Sequence, residues 1–293
     1  MKNFKVFLLA MFLVISITTI SGALPAYVYD GGVGNGTWQD VNKSGAAQEN
    51  LYCWAGAAAN TLAWTGWTGW NSITNTSIAT NTGIYAQFVN DWSAGGGNVL
   101  YGHWWWFTGN VTHPAFPGTG ANYAPGTGGY YSDAIWTSGI EGAWYGVGEN
   151  HETAISGYVT ADRGIVIDIY GPDNAGNEYP HQLTVWGIDT DIGVKELYVT
   201  DTDDGVIALQ TYHYSQHADT YWYIDDYSNT YTTNQAFVIR ETHRLNINYD
   251  DIKPNGYIPP NGGGGEVPEP CTMILIGSGL VGLAVIRRKF KVS

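Results

Sequence analysis

The chain has 293 residues, with 26 Asp and Glu against 12 Lys and Arg and a formal net charge of −14. Half of the cations lie at the two ends (Lys2, Lys5, Arg287, Arg288, Lys289, Lys291), which leaves Lys43, Arg163, Lys195, Arg240, Arg244 and Lys253 for the body. A body this acidic excludes nucleic-acid binding, since phosphate contacts need clustered basic residues.

The first element is a secretory signal. Lys2 and Lys5 make a short positive region, Val6 to Ile20 an apolar one, and Ser21-Gly22-Ala23 a small-residue cleavage site. The apolar run is shorter than the ~20 residues that span a bilayer. Residues 1–23 are therefore expected to be a signal peptide, with Ala26 as the rival cleavage position. Residues 24–253 then suffice for one substantial domain, or at most two small ones.

Residues 24–50 are rich in Gly and Asn and read as a lead-in or loop. LYCWAGAAANTLAW (51–64) carries small and helix-forming residues, so 53–64 is expected to be a helix, with Asn50 available to cap it. Residues 78–92 read as a second helix. Residues 93–148, with GGG at 95–97 and WWW at 104–106, read as loops and short strands. Beyond 150, Glu152 to Tyr158 reads as a helix. Arg163 to Tyr170, His181 to Ile188, Lys195 to Thr200 and Gln235 to Arg240 read as strands rich in β-branched residues. A helix followed by an antiparallel sheet is the pattern of an α+β fold.

The chain ends in a Pro/Gly-rich linker, PNGYIPPNGGGGEVPEPC (254–271), then an uncharged apolar stretch (272–286) and RRKFK. An apolar segment closed by a basic cluster is a stop-transfer arrangement. Val267-Pro268-Glu269-Pro270, the apolar stretch and Arg287-Arg288-Lys289 together resemble the PEP-CTERM sorting signal of Gram-negative bacteria. The resemblance implies a 254–266 linker and a 267–293 sorting segment. It also implies transient membrane docking, processing by an exosortase-type enzyme, and delivery to the cell surface or its polysaccharide matrix. A plain C-terminal membrane anchor is the alternative.

Cysteines of exported proteins usually pair. Cys271 belongs to the terminal segment, so Cys53 stands alone in the body as a reactive thiol or a buried apolar residue. At the start of a helix its thiolate and its backbone N–H would meet the positive end of the dipole. His181 opens a strand after a loop, and Asp201 and Asp203 end the next one. If 181–188 and 195–201 pair across the DTDIG turn, His181 and Asp201 fall at one end, where a base and its orienting carboxylate must meet.

Cys, then His, then Asp is the chain order of the papain-like fold. WQDVNKSGAAQENLYCWAGAAANTLAW (38–64), PHQLTVWGIDTD (180–191) and ELYVTDTD (196–203) resemble the IdeS family of immunoglobulin-degrading cysteine peptidases. The likeness covers roughly 36–66 and 152–240. It implies a papain-like cysteine peptidase with its nucleophile helix packed on an antiparallel sheet. Cys53 corresponds to the nucleophile, His181 to the general base and acid, Asp201 to the orienting carboxylate, and Asp203 to a supporting acid. Lys43, ten residues before Cys53, corresponds to the oxyanion donor. Gln48, five before, is the rival by analogy with papain. The expected substrate is a protein or peptide, and the chemistry requires no cofactor or metal. The block 67–150 has no counterpart, so the family's antibody contacts are not carried over.

Other motifs compete. Asp189-Thr-Asp191-x-Gly193 and Asp201-Thr-Asp203-Asp204-Gly205 resemble calcium loops without the closing Glu, and the first also reads as a hairpin turn. His213 and His217, four apart, could share a helix face. Thirteen Trp and 21 Tyr raise a different class of function, a polysaccharide-binding or adhesive module with Trp104-Trp105-Trp106 as its platform, if these residues are not simply core.

Overall fold

A computed structural model describes residues 27–28, 38–43, 52–71, 74, 76–92, 97–110, 128–131, 141–145, 150–191, 193 and 195–246. All of them lie within the first unit of the chain, 1–256. The signal peptide, the linker, the sorting segment, Asn50 and Gln48 lie outside the described residues.

The elements in chain order are β1 (Tyr27–Val28), α1 (Cys53–Trp64), β2 (Gly69–Asn71), β3 (Thr76–Ile78), α2 (Asn81–Asp91), α3 (Val99–Thr108), β4 (Glu141–Tyr145) and α4 (His151–Thr160). They continue with β5 (Gly164–Pro172), β6 (Glu178–Asp189), β7 (Glu196–Thr200), β8 (Gln210–Gln216), β9 (Trp222–Tyr227) and β10 (Gln235–Leu245). Every pairing is antiparallel. β6 pairs with β5 on one side and with β7 on the other, and the path β5-β10-β9-β8-β7 joins the two, so β5 to β10 close on themselves as a barrel. Closure removes the open edges a sheet would otherwise expose. β1 adds to β6, and β4 to β10.

Two cores follow from the patterning. Inside the barrel sit Ile165, Ile167, Ile169, Leu183, Val185 and their neighbours, every second residue of their strands. The other core gathers α1, α2 and α3 around Trp54, Phe88, Trp92, Trp105 and Trp106, and receives Val166 and Leu245 from the outer barrel face. Trp54 lies between Trp92 and Phe88, with ring centroids 4.6 and 5.3 Å away. α1 is buried along most of its length, which its alanines allow; a larger face would not fit between barrel and tryptophans.

One expectation is corrected and two alternatives are closed. Residues 99–108 are a helix, not loop and strand. Asn98 caps it by accepting from the Leu100 N–H, and Gly109 ends it in the left-handed conformation at φ 75°. The helix is apolar all round because it is buried all round. Trp104, Trp105 and Trp106 are consequently 6%, 0% and 0% exposed, so they are core and cannot form a sugar platform. His213 lies in β8 and His217 just beyond it, so they share no helix face. They pair separately with Asp226 and Asp225 across the β8–β9 hairpin.

The 38–43 segment lies along the loop after β7. Thr200 Oγ1 donates to the Gln39 carbonyl at 2.9 Å, and the Lys43 N–H to the Thr202 carbonyl at 3.2 Å. Asp40 is buried there. One carboxylate oxygen accepts from the Ala208 N–H at 3.0 Å, while the other has no hydrogen-bond partner. Burial pushes its pKa up to about 8 from 3.8. The folded state therefore holds a proton that the unfolded chain has released between these values. Stability should fall as pH rises from about 4 to about 8, the sign set by the extra proton on the folded side. Asp40→Asn is expected to flatten that fall, read as urea midpoints at pH 5 and pH 8.5. Parallel midpoints in the two proteins would contradict it.

Candidate active site

Cys53 is the first residue of α1, and its N-cap residue, Tyr52, makes no side-chain capping hydrogen bond; the Ala55 and Gly56 N–H groups both turn back to the Tyr52 carbonyl. The thiol is half-buried and lines a cavity of about 420 Å³ together with Trp54, Gly97, Asn98, Asp168, Tyr170, Glu178, Tyr179, Pro180, His181 and Gln182. The helix reaches this position because Gly56 lets it touch the loop after β7: a Cβ built on Gly56 would lie 2.1 Å from Thr202 Cγ2.

His181 comes from β6, opposite Ile169 of β5, so its ring lies on the barrel-core side. Its Nε2 contacts Asp201 Oδ1 at 2.7 Å. Nδ1 lies 3.4 Å from the Tyr179 hydroxyl, and a hydrogen bond to Cys53 is among the interactions that favour the imidazolium. Burial pulls His181 toward the neutral form, but the Asp201 and Asp203 carboxylates outweigh it and hold the pKa well above 6.5. Burial likewise opposes ionisation of Asp201. His181, the Tyr227 hydroxyl (2.6 Å) and the Asp203 N–H (2.8 Å) overcome it and lower the pKa. The result is a buried imidazolium–carboxylate pair with its remaining acceptor sites satisfied.

Asp203 is a second carboxylate on the other side of the ring, 3.5 Å from Nδ1. It forms a buried ion pair with Lys43 and accepts from the Tyr179 hydroxyl at 2.7 Å. Tyr179 stacks on the imidazole at 5.4 Å between centroids, and Asn229 donates to the hydroxyls of both Tyr179 and Tyr227.

Cys53, His181, Asp201, Asp203 and Lys43 are thus gathered in one place from three separate stretches of chain. Lys43 meets Asp203 behind the cavity and is not among the residues lining it. Sequence reasoning missed Tyr179, Tyr227 and Asn229. Tyr179 lies two residues before His181, on the same strand face, which was the available signal. In the two calcium-like loops, Asp189 accepts from the Asp191 N–H in the β6–β7 turn, and Asp204 accepts from the Val206 N–H and from Gln210.

Among the described residues no helix is long and apolar enough to cross a membrane. Residues 266–289 match the PEP-CTERM protein-sorting motif, and no curated protein matches the chain. The chain is an exported protein of Gram-negative bacteria, targeted to the cell surface by a C-terminal signal that exosortase-type sorting enzymes recognise.

Proposed function

We propose that the exported domain is a papain-like cysteine endopeptidase of the IdeS type. The observation that supports this most is the line Cys53–His181–Asp201, with the thiol at a helix N-terminus, the imidazole between it and a buried carboxylate, and a cavity opening beside them.

In this reading the proton that His181 carries has come from the Cys53 thiol; the thiolate left behind attacks the peptide carbonyl carbon, the C=O π bond opens, and the carbonyl oxygen becomes an oxyanion. The Cys53 N–H, at the N-terminus of α1, is the backbone donor for that charge, and the ammonium of Lys43, ion-paired with Asp203, assists. The tetrahedral species collapses, the C–N bond breaks, and the His181 imidazolium gives its proton to the leaving amine. The thioester is then hydrolysed by a water that His181 deprotonates; the sulfur leaves and the carboxylic product departs. Asp201 keeps the ring oriented and stabilises its charged form throughout. Substrates are proteins or peptides at the cell surface or in a surrounding polysaccharide matrix.

Labelling tests the reading. A thiol-directed peptidyl inhibitor should modify Cys53 of the native protein stoichiometrically and fail to do so in His181→Ala; equal modification of both would contradict it. Lys43→Ala should lower kcat by about 10²–10³-fold with little change in KM. If Lys43 only anchors Asp203, Asp203→Asn will reproduce the loss in full.

A further inference from the structure

A second cluster of ionisable groups lies on the outer barrel face, against the cavity but outside the Cys53–His181–Asp201 line. β10 begins with Phe237 and Ile239 directed into the barrel. A β-bulge between Ile239 and Glu241 then reverses the side-chain alternation, so Leu245 belongs to the helical core. Glu241 and His243 share that outer face with Leu245. Glu241 stands opposite Asp168 of β5, and His243 opposite Val166. The bulge thereby brings three side chains together: His243 Nε2 is 3.2 Å from Glu241 Oε2 and 3.8 Å from Asp168 Oδ1. One ligand atom from each lies within 4.8 Å of the others. Bulges commonly re-aim side chains next to functional sites.

We propose that Asp168, Glu241 and His243 bind a divalent first-row transition cation. Several observations converge on this. The donor set, one imidazole and two carboxylates, is a set such ions accept. Two ligand atoms about 2.0–2.2 Å from a common tetrahedral ion must lie about 3.3–3.6 Å apart, and the observed contacts bracket that spacing. The charges balance: two carboxylates and a neutral imidazole around a dication sum to zero. Asp168 is also held as an outer-shell partner would hold a ligand. The Gln182 amide donates to Asp168 Oδ1 at 2.5 Å, and Gln182 Oε1 accepts from the Val99 N–H at 3.1 Å, which ties the cluster to the start of α3. An entry path exists because Asp168 and Gln182 line the 420 Å³ cavity.

The test is a calorimetric titration of zinc into the untagged, chelator-treated full chain carrying Cys53→Ser and Cys271→Ser, so that neither thiol competes. The expected result is saturable binding of one equivalent and a raised Tm. His243→Ala and Glu241→Gln should each weaken binding at least about 100-fold, and Gln182→Ala about 10–100-fold. Glu241 is the partly exposed member, so its isosteric replacement separates loss of a ligand from loss of fold. Retention of full affinity in Glu241→Gln and His243→Ala, combined with its loss in His181→Ala, would assign the ion to His181, Asp201 and Asp203, which have similar spacing, and overturn the proposal. Absence of saturable binding would overturn it as well.

Discussion

Cys53→Ala is expected to lower the rate of peptide hydrolysis by about 10⁴–10⁶-fold, because removing a nucleophile disables the whole unit that activates it. The thiol is half-buried at the open end of α1, and alanine is the residue that already fills much of that helix. The substitution should therefore change stability by less than about 1 kcal/mol, so that lost activity cannot be assigned to lost fold. His181→Ala should cost a similar factor, and the double variant little more than either alone, since groups acting as one unit are not additive. Initial rates on a defined peptide, with circular dichroism on the same samples, check both statements. Near-native rates in Cys53→Ala would remove the thiol from the chemistry.

Gly56→Ala is expected to destabilise the protein by about 1–3 kcal/mol, the usual cost of forcing a methyl group into a packed contact. The added Cβ would lie 2.1 Å from Thr202 Cγ2 and 3.0 Å from Thr202 Cβ, and Thr202 is itself buried. Either α1 or the loop after β7 must move. That loop carries Asp201 and Asp203 on either side of Thr202, so activity should fall with stability. A Tm lowered by several degrees, about 3–10 °C, is the expected reading. Thr202→Ser removes Cγ2, the nearest atom, and should restore part of the loss in the double variant. A native Tm for Gly56→Ala would show that α1 and the 201–203 loop are not in the close contact described.

How far the sequence could be read depended on whether a residue's environment leaves a period behind. β5, β6 and β7 were legible because β-branched residues mark strands. α1 and α4 were legible from helix formers and flanking polar residues. α3 was not, because Trp104 to Phe107 are buried on every side and a helix without a polar face has no 3.6-residue pattern; its caps, Asn98 and Gly109, were the only signals. β8 and β9 did carry alternation. Tyr212 and Tyr214 are buried between exposed Thr211 and His213, and Trp222 and Ile224 are buried between less buried Tyr223 and Asp225. At the site, Cys53, His181 and Asp201 stood out because their chemistry is rare in this chain. Tyr179, Tyr227 and Asn229 did not, because this chain has 21 tyrosines and only the barrel brings those two to the carboxylates. Asp168, Glu241 and His243 meet only through a bulge, which no short motif announces.

The most direct test of the central claim is acid-quenched mass spectrometry of the full chain mixed with a peptide library. The account predicts a transient acyl group, matching the N-terminal half of a cleaved peptide, on the tryptic fragment that contains Cys53. It should be absent in Cys53→Ala and should decay as free carboxylic product appears. Cleavage without any acyl adduct, continuing undiminished in Cys53→Ala, would contradict it.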